Sequence, residues 1–434
     1  MRFDNVMTKM FLALAVLAGC SFSVAVAQQD WTQWRGPDLN SVADINEEVV
    51  DKLDESTKLW RAELPGPAGA SPVVAAGRVF VTSVDDKSLV VLCIDVESGK
   101  ELWRRTVDGK DIRSRDGANG ASSSPCTDGR HVWTMFGNGQ VNCFTIDGEE
   151  VWAKDLQKEY GKFQIQFGMS TTPVLHEGQL LYGLMHGKMR NDTSSSVGKI
   201  VSLDAATGKE NWMHLRKTDA VSENKHVYAS PSIAKLEDQS LLIIHGADYT
   251  TAHSMEDGAE VWRLGGMNPK GGAYNPYLRF VGSAAFNDGM LIIPSAKRGP
   301  VWALDPDRKG KMTKNELEWA SPRITPDVAS PVFIDELIYL ARENGTLACL
   351  DSSNGEKLVE KRYMADKHRS TPVAVDNKLI ITDRSGKVIL VKADQTLEKL
   401  SSIDLGEEMT ASAAVYDGKI FVRTFEAIYA FGEK

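Results

Sequence analysis

The stretch Val201–Trp212, V-S-L-D-A-A-T-G-K-E-N-W, contains the unit that the whole chain repeats. Val201 and Leu203 alternate with Ser202 and Asp204, the period of two of a half-buried β-strand. A-A-T-G then closes a turn at Gly208, where a positive φ is expected, and Trp212 falls in the next strand of a hairpin. Copies end at Trp103 (I-D-V-E-S-G-K-E-L-W), Trp152 (I-D-G-E-E-V-W) and Trp262 (M-E-D-G-A-E-V-W), and one at Val359 (L-D-S-S-N-G-E-K-L-V). A second signature precedes each apolar run: Ser71-Pro72, Ser124-Pro125, Thr172-Pro173, Ser230-Pro231, Ser330-Pro331 and Thr371-Pro372, with Ser283 and Ser412 filling the remaining two places. A spacing of about 49 residues, built only from strand patterns and turns, predicts an all-β, eight-bladed β-propeller of four-stranded antiparallel blades.

The repeat overrides the two or three domains that 434 residues would suggest, because each copy needs neighbours to bury its faces. The blades are expected at 71–107, 123–156, 171–216, 229–264, 282–320, 329–363 and 370–405. Three strands after Ala411 need a fourth, and Lys58–Leu64 reads as an outermost strand ahead of its own blade. An N-terminal strand joining the C-terminal blade closes the ring and leaves no open edge. The propeller domain is therefore 57–434. Residues 28–56, with Trp31, Trp34 and Arg35-Gly36-Pro37, form an N-terminal cap segment lying across it.

Residues 1–27 read as a signal peptide, with Arg2 and Lys9, an apolar run from Met10 and the cleavage pattern Ala25-Val26-Ala27. Leu17-Ala18-Gly19-Cys20 also matches a lipobox, so the membrane could be reached through lipidation of Cys20. Apolar residues after Cys20, where a polar tether is usual, favour plain cleavage. The expected location is exported, periplasmic or extracellular. The net charge of −9, with scattered basic residues, argues against nucleic acid, and a monomer is expected.

Cys93 and Cys349 read as small core residues, and Cys126 and Cys143 lie on strands separated by a third. Dispersed histidines make a metal site improbable, and the standard nucleophile, phosphate and protease signatures are absent. Asp305–Glu316 imitates a calcium loop, but Lys309 takes a ligand place, so it reads as an elongated hairpin loop. What remains is the channel mouth, formed by long polar loops leading into the innermost strands. They carry Arg113, Arg115 and Asn119; Lys162, Gln164 and Gln166; His226 and Tyr228; Asn275, Tyr277 and Arg279; and His368 and Arg369. Convergent cationic and aromatic groups at a concave mouth suit an anionic or sugar-like ligand or a peptide. The eight hydroxyls would form a ring just inside, holding each first strand by bonding neighbouring backbone.

The A-x-D-x-x-T-G-x-x-x-W unit, best kept at Ser202–Trp212, resembles the tryptophan-docking motif of the quinoprotein alcohol dehydrogenase family. The resemblance covers nearly all of 57–434. It implies that Trp60, Trp103, Trp152, Trp212, Trp262 and Trp319 each dock on the next blade. It does not carry the enzyme over: those dehydrogenases hold pyrroloquinoline quinone (PQQ) against a disulfide of adjacent cysteines, and this chain has no Cys-Cys pair. Their chains are longer, with calcium-ligating and catalytic loops unmatched here. The chain is more similar to the non-enzymatic branch of secreted PQQ-like repeat proteins, which includes the lipoprotein propeller of the outer-membrane β-barrel assembly machine. Trp31–Pro37 and Asp305–Glu316 depart from that pattern. The resulting expectation is an envelope scaffold for a protein or peptide partner, with no cofactor and no catalytic residue. The alternatives are a quinone-dependent oxidoreductase or other channel-mouth enzyme, and a binder of a small anionic or sugar ligand.

Overall fold

The computed structural model describes residues 29–44, 47–111, 119–188, 194, 196–268, 273–364 and 368–434. The cleavage and lipidation motifs, Arg113 and Arg115 lie outside these. Among the described residues the strands form eight sheets in a ring, seven with strands taken in chain order. The eighth takes Lys58–Glu63 as its outer strand against Ala427–Phe431, with Lys58 opposite Phe431 and Glu63 opposite Ala427. The expected closure is therefore present. The middle strands are not half-buried, however: Val201, Ser202 and Leu203 are all fully buried, because neighbouring blades cover both faces. Only the outer strands, such as Glu101–Lys110, alternate between core and solvent.

The hydroxyls that open the blades form a closed circle. The backbone N–H of Ser71 donates to Ser124 Oγ at 2.9 Å, and that of Ser124 to Thr172 Oγ1 at 3.2 Å. The series continues through Ser230 (3.0 Å), Ser283 (2.9 Å), Ser330 (2.9 Å), Thr371 (3.0 Å) and Ser412 (3.0 Å). Ser412 N–H returns to Ser71 Oγ at 2.9 Å. These N–H groups lie two residues ahead of the first strand of each blade, outside its ladder, so the hydroxyls satisfy buried donors that would otherwise be orphaned.

Tryptophans seal the outer junctions. Trp152 Nε1 donates to Ala205 O at 3.0 Å and its ring lies over Gly208, where a Cβ would come within 2.7 Å of it. Gly208 has φ +68°, so its turn and the close approach both require glycine. Trp60, Trp103, Trp212, Trp262 and Trp319 likewise donate to Val96, Ile146, Met255, Pro306 and Ser352 of the following blade. The sixth junction uses Val359 and Tyr363, whose hydroxyl donates to Leu397 O. At the seventh, the docking register falls on Ser401, opposite Leu390 as Trp212 is opposite Ser202. There Leu53 arrives from the N-terminal segment: its N–H donates to Ser401 Oγ at 2.9 Å, and its side chain is buried in the cluster of blades seven, eight and one. The segment thus supplies apolar volume at the junction where the repeat has lost its tryptophan.

The same segment touches every blade. Trp31 exchanges backbone bonds with Val74 (2.8 and 3.0 Å), Thr32 O accepts from Thr127, and Gln33 Oε1 accepts from Leu175. Asp38 pairs with Lys235, Arg35 donates to Ala284 O (2.9 Å) and Pro331 O (3.4 Å), Ser41 O accepts from Ala374, and Glu47 accepts from Gly418 at 2.6 Å. Arg35 is fully buried, which pushes its guanidinium down to about 9, and it closes the channel on the side of the first hairpins. The Asp305–Glu316 loop departs from a plain hairpin. Gly310–Met312 adds a fifth strand, parallel to Glu260–Leu264 of the preceding blade, and Glu316 caps a short turn with Thr313.

Three outcomes follow from this architecture. Ser230→Ala leaves the Thr172 N–H buried without an acceptor, and urea unfolding should show a loss of about 1–3 kcal/mol. Leu53→Ala opens a cavity at the seventh junction and should cost about 2–5 kcal/mol by the same measurement. His245 and His253 lie buried beside Arg216 and are held neutral, pushed down to about 3 and about 4, mainly by burial. Their folded values lie below the ordinary 6.5, so the unfolded chain takes up protons first. Stability should hold above pH ~6.5 and fall towards pH ~4, with a shallower fall in His253→Gln.

Candidate functional site

The loops between blades and the turns between second and third strands open on the face opposite the N-terminal segment, which straps the other end of the channel. They enclose a funnel of about 310 Å³ around the axis, just outside the hydroxyl ring. Its walls carry Phe167, Tyr228, Arg279, Asp327, Arg369, Arg384 and Phe425, over a floor of small residues such as Gly69, Ser122, Ser170 and Thr410.

Arg279, Arg384 and Asp327 are each held by a partner outside the lining. Arg279 lies over the Phe167 ring at 4.8 Å and donates to Glu223 Oε1 at 3.3 Å. Glu223 stands on the single 3-10 turn Ser222–Lys225 of the loop between blades three and four. Arg384, in the Asp383–Gly386 turn of blade seven, donates through Nε to Glu408 Oε1 at 2.5 Å. Asp327 pairs with Lys297 at 3.2 Å. Tyr228 meets Phe167 edge-on at 5.9 Å, and burial raises its hydroxyl above the usual tyrosine range. Behind this wall Asp248 is a hub: it accepts from Asn224 (3.1 Å), Asn268 (3.0 Å) and Tyr274 (2.7 Å), tying the loops that carry Tyr228 and Arg279 to the blade-four turn.

Of the residues expected at the mouth, Tyr228, Arg279 and Arg369 line the funnel. Arg113 and Arg115 fall outside the described residues, and the remaining described ones are not among its lining. Asn119 shapes its own turn, bonding Ser122 and Ala121 and donating to Pro67 O. Lys162 and Gln164 are exposed, and Gln164 engages Gly187 and His186 through its backbone. Gln166 N–H approaches His226 Nδ1 at 3.4 Å, and buried His226 has Nε2 2.8 Å from Gly187 O. Burial dominates the downward shift of His226 and takes His368 to about 4. Asn275 gives its carbonyl to Asn224 and Asn268, and Tyr277 stands 65% exposed. Arg384, Asp327, Phe167 and Phe425 escaped the sequence reading. Arg384 and Phe425 follow second strands, which in an antiparallel blade end on the same face as the loops between blades.

Among the described residues no three His, Cys, Asp or Glu side chains gather as a metal ligand set. Cys93, Cys126, Cys143 and Cys349 are free and buried, and burial raises each thiol. Cys126 and Cys143 flank Trp133 from opposite strands.

Similar proteins follow the same architecture. The family described as outer membrane protein assembly factor BamB matches residues 46–246 and 137–397. BamB of Shewanella oneidensis is 20% identical over 297 residues, covering 65% of this chain and 67% of that protein. The crystal structure of BamB from Moraxella catarrhalis superposes with a TM-score of 0.60 at 14% identity, over 86% of this chain and 99% of the other. A europium-containing methanol dehydrogenase superposes with a TM-score of 0.72 at 11% identity, over 93% and 98%. At these identities the superpositions speak for the fold alone, while the family match runs through the repeats themselves: this chain belongs to the family of outer membrane protein assembly factor BamB.

Proposed function

We propose that this protein is an exported propeller that holds a protein partner at the cell envelope, as an outer membrane protein assembly factor, without chemistry of its own. The family match over residues 46–397 carries this reading. The ring supports it physically: a rigid closed scaffold presents loops at one mouth, and the strap with Arg35 crosses the other end, so the channel serves as a socket and not as a passage. The quinone alternative draws on likeness of fold at 11% identity, while among the described residues no three His, Cys, Asp or Glu side chains gather and the sequence holds no adjacent cysteines.

Two measurements test this. A photoreactive amino acid placed at exposed Tyr277 in the native host should yield one discrete adduct with an envelope protein; a smear, or self-adducts alone, would count against a specific partner. The purified chain, given PQQ, calcium and an electron acceptor dye, should reduce no dye with alcohols or sugars. Sustained turnover would establish the oxidoreductase instead.

A further inference from the structure

We infer that the mouth funnel captures the free C-terminus of a partner chain, its α-carboxylate bound by Arg369 and Arg384 with Arg279 beside them; this rests on the scaffold reading above. The first observation is charge. The chain carries a net −9, yet among the described residues three guanidiniums and a single carboxylate, Asp327, line this cavity. Arg279 uses one terminal nitrogen on Glu223, and Arg384 its Nε on Glu408, so the acids aim both groups and leave further N–H donors of each planar fork for a ligand. Their side chains remain 32% and 25% exposed, within reach of an incoming anion.

The second observation is shape. The funnel is blind, because the strap and Arg35 cross the channel beyond the hydroxyl ring. An internal stretch of a partner would have to enter and turn back within about 310 Å³, near the lower end of ligand-sized cavities, whereas a chain end enters tip first. Phe167, Tyr228 and Phe425 offer an apolar wall for the last side chain. Carboxylate, blind depth and aromatic wall together match C-terminal capture, with an apolar or aromatic terminal residue. A free small aromatic acid shares that chemistry, and the test separates the two.

Fluorescein-labelled peptide pools of the form Gly-Ser-X-X-X-Phe, made with a free carboxylate or as amides, would be titrated against the full mature chain by anisotropy. The acid pool should bind, the amide pool should bind at least ~10-fold more weakly, and added salt should weaken the acid pool. Arg369→Gln with Arg384→Gln should lose ~10-fold or more, while Lys162→Gln, outside the cavity, should change nothing; matching Tm values confirm that the variants fold. Equal binding of acid and amide, no binding of either, or acid binding unchanged in the double variant would overturn the inference. Phenylacetate competing as strongly as the peptide would assign the cavity to a free acid and overturn it likewise. An intact envelope adduct at Tyr277 alongside a failed peptide titration would sink this inference and leave the scaffold reading standing.

Discussion

Eight backbone N–H groups just ahead of the innermost strands have no ladder partner, and the structure depends on how they are satisfied. Each finds the hydroxyl of the next blade, and the eighth returns to the first, so the chain encircles its own axis in a closed circle of hydrogen bonds. A neutral hydrogen bond adds only about 0.5–1.5 kcal/mol net, but an unmet buried donor costs more. The circle also sets the distance of every blade from the axis, so the loops above it converge on one small funnel. The mouth is a consequence of the ring.

The outer junctions solve a different problem. Blades diverge away from the axis, and the wedge between them has to be filled with volume. Tryptophan does so best, because it adds a large apolar face and one N–H that reaches the carbonyl of the next blade. Six junctions use it, the sixth blade substitutes Val359 and Tyr363, and the seventh uses Leu53, which is distant in sequence. The N-terminal segment is therefore more than a cover: it fills the weakest wedge, touches all eight blades and blocks the channel with a buried guanidinium.

Function follows from that asymmetry between the two ends. One end is closed by backbone bonds and Arg35, and the other carries guanidiniums oriented by carboxylates that themselves stand outside the funnel. The closed ring resists deformation, so the loops are presented at fixed spacing, the property a scaffold needs. The methanol dehydrogenase likeness shows how far the same ring can be put to other uses: architecture is shared, while the groups at the mouth decide the chemistry.

The eight units, the order of strands and the lending of Lys58–Glu63 to the last blade were legible in the sequence, because period-two patterns, turn glycines and hydroxyl-proline pairs are local signals repeated many times. The tryptophans were legible as a set, since one register recurs. Leu53 at Ser401, the fifth strand at Gly310–Met312 and the Asp248 hub were not, because each joins residues far apart or of unremarkable type. The mouth was half legible: Tyr228, Arg279 and Arg369 were found by following loops into first strands, and Arg384 was missed because it belongs to a turn. Which loop residues face the axis depends on side-chain direction within irregular backbone, and no periodicity encodes that. Repetition in the chain determined the ring; only the folded loops decided which of its charges share a cavity.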